Sequence, residues 1–270
     1  MESTRVKVGI FTAMPWEFAA VARAFPSKQR VGRNSAQYLS GRQQQVHVSL
    51  FRTGVGAQNA MNACRSSLAN HHWDLIISSG FAGALTATPI GSIVVANEVL
   101  MDFSCQSFYQ AGSLIPCHPQ WSARAVHLAR CLDHSAQCGR MVTVARIVSQ
   151  AKEKQRIAET TGALALDMES GPLGVVAQEA SVPFLVIRSI SDVFDENLPV
   201  DFNMFLRPFG CIQGLAKVLV SPLSWRGFAR LRTQMIQASH PLTLFFKKLF
   251  EEMGFDTFPM KEAYPTREPA

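Results

Sequence analysis

Two apolar segments of this chain end in acidic residues that could transfer protons. The segment ALALDMES delivers Glu169, and the segment VPFLVIRSISD delivers Asp192. In an open α/β sheet, ligands bind outside the carboxyl ends of the strands, so acids placed there can hold and protonate a small molecule. A structural alternative stays open, because Glu169 could open a helix and Asp192 could cap the following turn.

A third acid, Glu17, lies near the amino terminus. Val6 to Thr12 is a short run rich in β-branched residues and predicts a strand, and a helical pattern follows from Pro15, a favoured first-turn residue. A carboxylate in the first turn of a helix is stabilised by the helix dipole. Glu17 therefore has a structural explanation as well as a chemical one.

Predicted strands and helices alternate along most of the chain. Two or three antiparallel strands are predicted in 30–52, and further strands at 74–79, 93–96 and 140–148. Helices are predicted from after Gly56 to about residue 69, and over 122–132, 152–161 and 202–219, with a long loop at 101–121. This order predicts an α/β fold, with a mixed or parallel sheet between helices.

Two glycine-containing segments follow predicted strands. The first, Thr53-Gly54-Val55-Gly56, lacks the third glycine of a dinucleotide-binding fingerprint, which excludes a nicotinamide site. The second, Gly80-Phe81-Ala82-Gly83-Ala84, is predicted as a small-residue loop. It could let a ligand approach the main chain, although a tight structural turn would have the same composition.

Composition excludes several other classes of protein. The net charge is +6, but the basic residues are scattered, so nucleic acid is not expected as a partner. The six cysteines form no CxxC pair and no metal-like spacing with histidines, which predicts reduced thiols, a cytoplasmic location and no metal. We find no signal-peptide pattern and no apolar run of about 18 residues, as a membrane span needs.

Several motifs, in colinear order, carry a resemblance to a known family. They are GIFTAMPWE, TGVGAQNA, DLIISSGFAGAL with IGSIVVANEV, ALALDMES, and VPFLVIRSISDVFD with DFNMFL. Over roughly residues 5–220 the chain resembles the nucleoside phosphorylase and nucleosidase superfamily. Within it, the chain is most similar to 5′-methylthioadenosine/S-adenosylhomocysteine nucleosidases.

The resemblance implies a three-layer α/β/α sandwich with a central mixed twisted sheet, and cleavage of the N-glycosidic bond of an adenine nucleoside without a cofactor. It implies that Glu17 positions water and that Asp192 is the general acid. The residues it implies for substrate binding are Met168, Glu169, Ser191, Arg188, Phe202, Phe81, Gly80 and Ala82.

The implied reaction explains why carboxyl groups are needed. Breaking the bond leaves a purine anion and a cationic, oxocarbenium-like sugar. A proton from Asp192 at N7 neutralises the purine, provided that Asp192 holds that proton near neutral pH. Glu17, as a carboxylate, would orient the attacking water, and Glu169 would hold the ribose hydroxyls.

The chain departs from the family where phosphate would bind. Related phosphorylases use an arginine and a serine at the positions of Ser78 and Phe81, so water is favoured over phosphate as the nucleophile. Phe81 also replaces a small polar residue of the nucleosidases, which predicts a more apolar pocket on the sugar side. Asp167 replaces the glutamate often found before the Met-Glu pair.

A C-terminal extension, residues 221–270, follows the predicted catalytic domain, residues 1–220. It is basic, and its apolar residues at helical spacing are Leu242, Phe245, Phe246, Leu249, Phe250 and Met253. Such a helix could pack on the domain or on a second subunit. Alternatively, it could contact an anionic membrane, which would suit removal of adenine from a lipid-linked nucleoside such as adenosylhopane in the hopanoid branch.

Hydrolysis of a soluble nucleoside therefore has three rival interpretations. They are phosphorolysis, action on a lipid-linked nucleoside at the membrane periphery, and a non-catalytic nucleoside-binding or membrane-associated module. The expected partners are a small adenine nucleoside and a second copy of the chain in a homodimer.

Overall fold

The computed structural model describes residues 6–25, 28–31, 38–43, 46–102, 111–132, 135–197 and 222–253. Within these ranges the strands are β1 Val6–Thr12, β2 Lys28–Val31, β3 Tyr38–Gln43, β4 Val46–Arg52, β5 Leu75–Ala84, β6 Ile93–Met101, β7 Leu114–Pro116, β8 Ala136–Thr143, β9 Ala165–Asp167 and β10 Phe184–Asp192. The helices are α1 Pro15–Ala22, α2 Ala57–Asn70, α3 Pro119–Cys131, α4 Ala151–Thr161, α5 Ser170–Glu179 and α6 Pro222–Met253.

The amino-terminal elements confirm the predicted pattern. Strand β1 has the predicted bounds, and α1 begins at Pro15. Strands β2, β3 and β4 pair antiparallel, as predicted for residues 30–52, and β4 then lies parallel to β1. These segments are short and locally connected, so hydrophobic periodicity is sufficient to find them.

All the strands belong to one mixed sheet, part of which closes on itself. Strand β5 pairs with β1 and β9 and also with β10, while β10 pairs with β6, β6 with β8 and β8 with β9. Strands β5, β10, β6, β8 and β9 therefore form a ring, from which β1, β4, β3 and β2 extend in order.

Helices cover both faces of this sheet. Successive strand residues point to opposite faces, so Ile10 and Ile77 pack in one core cluster with residues of α1, α3 and α6. Their neighbours Phe11 and Ile76 pack in a second cluster with α2 and α5. The predicted α/β class with a central mixed sheet between helices is confirmed.

The prediction of a loop at residues 80–84 is wrong, because this segment is the second half of β5. Gly80 pairs with Arg188 and Gly83 with Asp192 of β10, so the main chain continues its ladder of hydrogen bonds. The small residues here accommodate neighbouring side chains instead of making a turn.

Part of the long loop predicted at 101–121 is also regular structure. It contains β7 and the start of α3, which begins at Pro119. The prolines and mixed aromatic residues of this segment show no clear period, and β7 has only three residues, so the sequence pattern does not reveal these elements. The helix predicted over 202–219 lies outside the described residues.

Helix α6 packs its apolar face on the domain. The six apolar residues predicted to share one face are all buried: Leu242, Phe245, Phe246, Leu249, Phe250 and Met253. They belong to the same core cluster as the strands, and the rings of Phe250 and Phe25 meet edge to face with centroids 5.0 Å apart. The structure therefore has this helix packed on the domain, which is one of the positions that its sequence allows.

No helix in the described part of the chain is both long and apolar enough to cross a membrane. The described residues also contain no group of three or more His, Cys, Asp or Glu side chains that could hold a metal ion. Cys64, Cys117, Cys131 and Cys138 are free thiols.

Replacing one buried aromatic residue of α6 should destabilise the whole domain. Phe246→Ala is expected to lower the free energy of unfolding by about 3–5 kcal/mol, because Phe246 is fully buried in the core. Ile236→Ala, on the same helix but 51% exposed, should change it by less than about 0.5 kcal/mol. Urea unfolding followed by circular dichroism measures both, and equal losses would contradict this packing.

Candidate active site

Strand β5 brings the two acid-bearing strands together. Strand β10 runs parallel to β5 and β9 runs antiparallel to it, so β9 and β10 point in opposite directions. Their ends overlap beside residues 80–84 of β5. The acids therefore meet alongside a central strand, whereas the sequence pattern predicts a common carboxyl edge.

A buried ion pair between Arg188 and Asp167 lies at the centre of this region. The guanidinium donates from Nε and Nη2 to Asp167 Oδ2, at 2.9 and 2.6 Å. Nη2 also donates to Ser78 Oγ at 2.8 Å and to Ser170 Oγ at 2.9 Å. These contacts fix the plane of the guanidinium group, and Thr143 Oγ1 donates to the other oxygen of Asp167.

Glu17 reaches this region from α1. Its Oε2 accepts hydrogen bonds from the N–H groups of Ala13 (2.9 Å) and Met14 (2.7 Å), as a capping residue does. Its Oε1 accepts from the Phe81 N–H at 2.8 Å. The structural explanation of Glu17 therefore holds, and the same contacts fix the carboxyl group beside β5.

Gly80 allows Glu17 and Arg188 to approach the main chain of β5. Its φ of +155° disfavours residues with a side chain. A Cβ at this position would lie 2.4 Å from Glu17 Oε1 and 2.8 Å from Arg188 Nη1. The small residue predicted to admit a ligand thus admits two charged protein groups.

Glu169 joins the same region from the start of α5. Its Oε1 accepts a hydrogen bond from the N–H of Gly56, at 2.7 Å, so the second glycine of the TGVG segment contacts a predicted ribose-binding residue. Met168, beside it, is half-buried and packs against a core cluster that includes Val142 and Leu166. The predicted Met-Glu pair therefore has one member among the buried carboxyl groups and one beside a core.

Burial and mutual repulsion favour a proton in this cluster. Burial raises the pKa of Glu169 to about 8, and the carboxylates of Asp167 and Glu17 add to the rise, against the opposing effect of Arg188. Burial also raises the pKa of Glu17, while Arg188 and three backbone N–H donors oppose it. Burial alone would lower the pKa of Arg188, but Asp167 and then Glu17 raise it, so the guanidinium stays charged.

Asp192 lies further along β5, with a different partner. Its Oδ2 accepts a hydrogen bond from Nζ of Lys154, and both of its oxygens lie 3.1 Å from where a Cβ on Gly83 would be. Ser191 Oγ is 3.5 Å from Asp192 Oδ1 and 3.5 Å from the carbonyl oxygen of Ala82. Gly83 and Gly80 are three residues apart, about 10 Å along an extended strand.

The remaining predicted residues have varied positions. The Phe81 side chain is buried in the core cluster that includes α1 and α6, so its main chain is the part that contacts Glu17. Ala82 is buried in the second core cluster. Phe202 lies outside the described residues.

Sequence reasoning missed Ser78, Ser170 and Lys154 as site residues. Ser170 directly follows the Met-Glu pair, and Ser78 stands out in the sequence only as a lost phosphate ligand. Lys154 lies on the buried face of α4 with Ile157 and Thr161, at spacings of three and four residues. This helical spacing could have indicated a buried lysine.

A separate surface groove lies between α1 and α6. Its lining residues are Pro15, Trp16, Ala19, Arg23, Ile236, Ser239, His240 and Thr243. None of the buried acids lines it, so we assign the candidate site to the carboxyl groups along β5.

The chain belongs to the Phosphorylase superfamily, whose sequence profile matches residues 7–206. Solved structures of similar fold include 5′-methylthioadenosine/S-adenosyl homocysteine nucleosidase from Helicobacter pylori, with 18% identity over 93% of this chain and 100% of that chain, at a TM-score of 0.74. S-adenosylhomocysteine nucleosidase from Streptococcus pyogenes has 20% identity over 94% and 99% of the two chains, at 0.73. Futalosine hydrolase of Helicobacter pylori has 18% identity over 92% and 98%, at 0.73. Membership of this family supports an enzyme that acts on nucleosides, and the solved structures share the fold of the chain.

The protonated cluster should make stability depend on pH. Between about pH 4.3, where an unfolded glutamate ionises, and pH 8, the folded state holds a proton on Glu169 that the unfolded chain has lost. Stability should therefore fall as pH rises through this window, by up to about 5 kcal/mol from Glu169, with Glu17 acting in the same direction.

Urea unfolding at pH 5 and pH 8 measures this fall. Glu169→Gln should reduce the fall, whereas Glu159→Gln, an exposed acid on α4, should leave it unchanged. A fall of the same size in the wild type and Glu169→Gln would contradict a buried, protonated Glu169.

A side chain at position 80 should displace the buried charges. Gly80→Ala is expected to cost about 2–5 kcal/mol of unfolding free energy, from backbone strain and from the clash with Glu17. Gly162→Ala is the matched control, since Gly162 also has a positive φ (+64°) but open space around it, and should cost about 1 kcal/mol. Equal costs would show that position 80 is sensitive only to backbone conformation.

Proposed function

We propose that this protein hydrolyses the N-glycosidic bond of an adenine nucleoside of the methylthioadenosine or adenosylhomocysteine type, releasing adenine. The proposal is based on one observation: acidic side chains lie beside two different positions of strand β5. Asp192 lies beside Gly83, and Glu17 with Arg188 lies beside Gly80. Gly80 and Gly83 are about 10 Å apart along an extended strand, so the two groups of side chains beside them could act on different parts of one bound nucleoside.

The proposed chemistry assigns a separate task to each acid. Asp192 donates a proton to N7 of the purine while the bond between N9 and C1′ breaks, so the base leaves as a neutral molecule. Water attacks C1′ from the other side and gives up its proton to Glu17, whose raised pKa makes it a better base. Glu169 binds the ribose hydroxyls with Met168 beside it.

Water is the favoured nucleophile because the cation at the site is already paired. Asp167 occupies Arg188 through two hydrogen bonds, and the Glu17 carboxyl group lies close to the same guanidinium. A phosphate dianion here would meet two carboxyl groups, whereas a neutral water meets donors and acceptors. Ser78 and Phe81, at the positions of the phosphorylases' arginine and serine, give the same preference.

A lipid-linked substrate and a purely binding role have less support. The apolar face of α6 is the sequence feature that suggests a lipid-linked nucleoside, but that face packs on the core, so membrane contact stays a prediction without a structural observation in its favour. A non-catalytic binding module would not need a proton donor at the base. The homodimer likewise stays a prediction.

Adenine release from several nucleosides tests the proposal. Purified protein should release adenine from methylthioadenosine or adenosylhomocysteine in phosphate-free buffer, detected by chromatography. Asp192→Asn should reduce kcat at least 100-fold, since proton donation contributes about 10²–10⁴ in rate. Asp195→Asn, which changes an acid three residues away, should retain wild-type activity.

Three results would count against hydrolysis. They are no adenine from any substrate, an Asp192→Asn variant as active as the wild type, or an absolute requirement for phosphate. Tight nucleoside binding without turnover would establish the binding module instead.

A further inference from the structure

Lys154 is a fully buried lysine whose ammonium group contacts the predicted general acid. It has no solvent exposure, and Nζ donates both to Asp192 Oδ2 and, at 2.7 Å, to the carbonyl oxygen of Val193. Buried lysines are rare because removing an ammonium group from water is costly. Here the cost is offset by one carboxyl oxygen and one carbonyl oxygen.

The contacts of Lys154 connect α4 to the end of β10. Asp192 is the last residue of β10, and its side chain is 16% exposed, so part of the side chain remains accessible. Oδ2 contacts the ammonium group, whereas Oδ1, 3.5 Å from the Ser191 hydroxyl, does not. The Val193 carbonyl fixes the ammonium group in turn.

From this geometry, and resting on the proposed function, we infer that Lys154 is a positioning residue that orients Asp192 and sets its strength as the proton donor to the base. Donation of the proton leaves Asp192 as an anion, and an ammonium group in contact stabilises that anion. The proton transfer is thereby made more favourable.

Other groups near Asp192 are neutral or already paired. Strand β5 presents Gly83, and β10 presents the Ser191 hydroxyl. The nearest acids of β9 and α5 contact other partners, Asp167 contacting Arg188 and Glu169 the Gly56 N–H. On α4, Glu153 pairs with Arg146 near the surface. Lys154 is thus the charged group that contacts Asp192 among the described residues.

A structural role and a role in acid strength predict different pH profiles. If Lys154 only supported the fold, its removal would lower kcat by the same factor at all pH values. If Lys154 stabilises the Asp192 anion that proton donation forms, Lys154→Met should lower kcat at acidic pH and move the alkaline limb of kcat to higher pH, so the shape of the profile changes.

The experiment is a pH profile of kcat for adenine release by the wild type and three variants. Lys154→Met should lower and shift the profile, Lys154→Arg should keep the wild-type limb because it keeps the charge, and Lys152→Met, an exposed lysine on the same helix, should match the wild type. Identical limbs in the wild type and Lys154→Met would overturn the inference. If Lys154→Met does not fold, Lys154→Gln replaces it, with the same two outcomes.

A second readout separates this inference from the proposed function. Carbon-13 NMR of labelled aspartate carboxyl groups reports on the surroundings of the Asp192 carboxyl group, assigned by the signal lost in Asp192→Asn. At a fixed pH, the Asp192 signal should move in Lys154→Met and keep its position in Lys152→Met, whether or not any nucleoside is cleaved, because Nζ of Lys154 contacts Asp192. An unchanged signal in Lys154→Met contradicts the inference, whereas a signal that moves as expected in a protein that cleaves no nucleoside contradicts only the proposed function.

Discussion

The buried guanidinium of Arg188 is the interaction on which the rest of the site depends. It neutralises Asp167 directly and opposes the repulsion between the carboxyl groups of Glu17 and Glu169. Without this cation, three carboxyl groups would share a region with almost no solvent and no compensating positive charge. With it, Asp167 is paired, the pKa of Glu169 is raised to about 8 and the pKa of Glu17 is also raised. Perturbed pKa values of this kind cluster at functional sites.

The second requirement is a strand whose small residues leave room for charged side chains at two positions. Strand β5 carries Gly80 and Gly83 where side chains of its neighbours approach most closely. Pairing with β9, β10 and β1 then fixes the elements that carry the acids, because each is hydrogen-bonded to the same strand. The closure of the sheet into a ring thus brings residues from distant parts of the sequence close together.

Much of the fold could be predicted from the sequence. Strand β1, helix α1 and the antiparallel strands after it follow from local periodicity, and the apolar face of α6 follows from helical spacing. Local pattern could not reveal that β9 and β10 run in opposite directions, since strand direction depends on the ring. Residues 80–84 were wrongly predicted as a loop because glycine-rich composition occurs both in turns and in strands that neighbouring side chains approach closely.

The sequence indicates which residues belong to the candidate site better than it indicates what those residues contact. Glu17, Glu169 and Asp192 stand out by their positions in motifs, and the structure gives each a buried or half-buried location with a defined partner. Lys154 was missed because a lysine in a polar helix is normally exposed, and only the packing of α4 on the end of β10 buries it. Phe81 was expected to line the sugar pocket, yet its side chain packs in a core cluster.

The identity of the nucleophile tests the central claim most directly. Cleavage of methylthioadenosine or adenosylhomocysteine in water enriched in oxygen-18, with phosphate present, can be followed by mass spectrometry of the sugar product. We predict a free sugar that carries one oxygen-18 atom from the attacking water held by Glu17 beside Arg188. A sugar 1-phosphate without the label at the phosphate-bridging oxygen would contradict it.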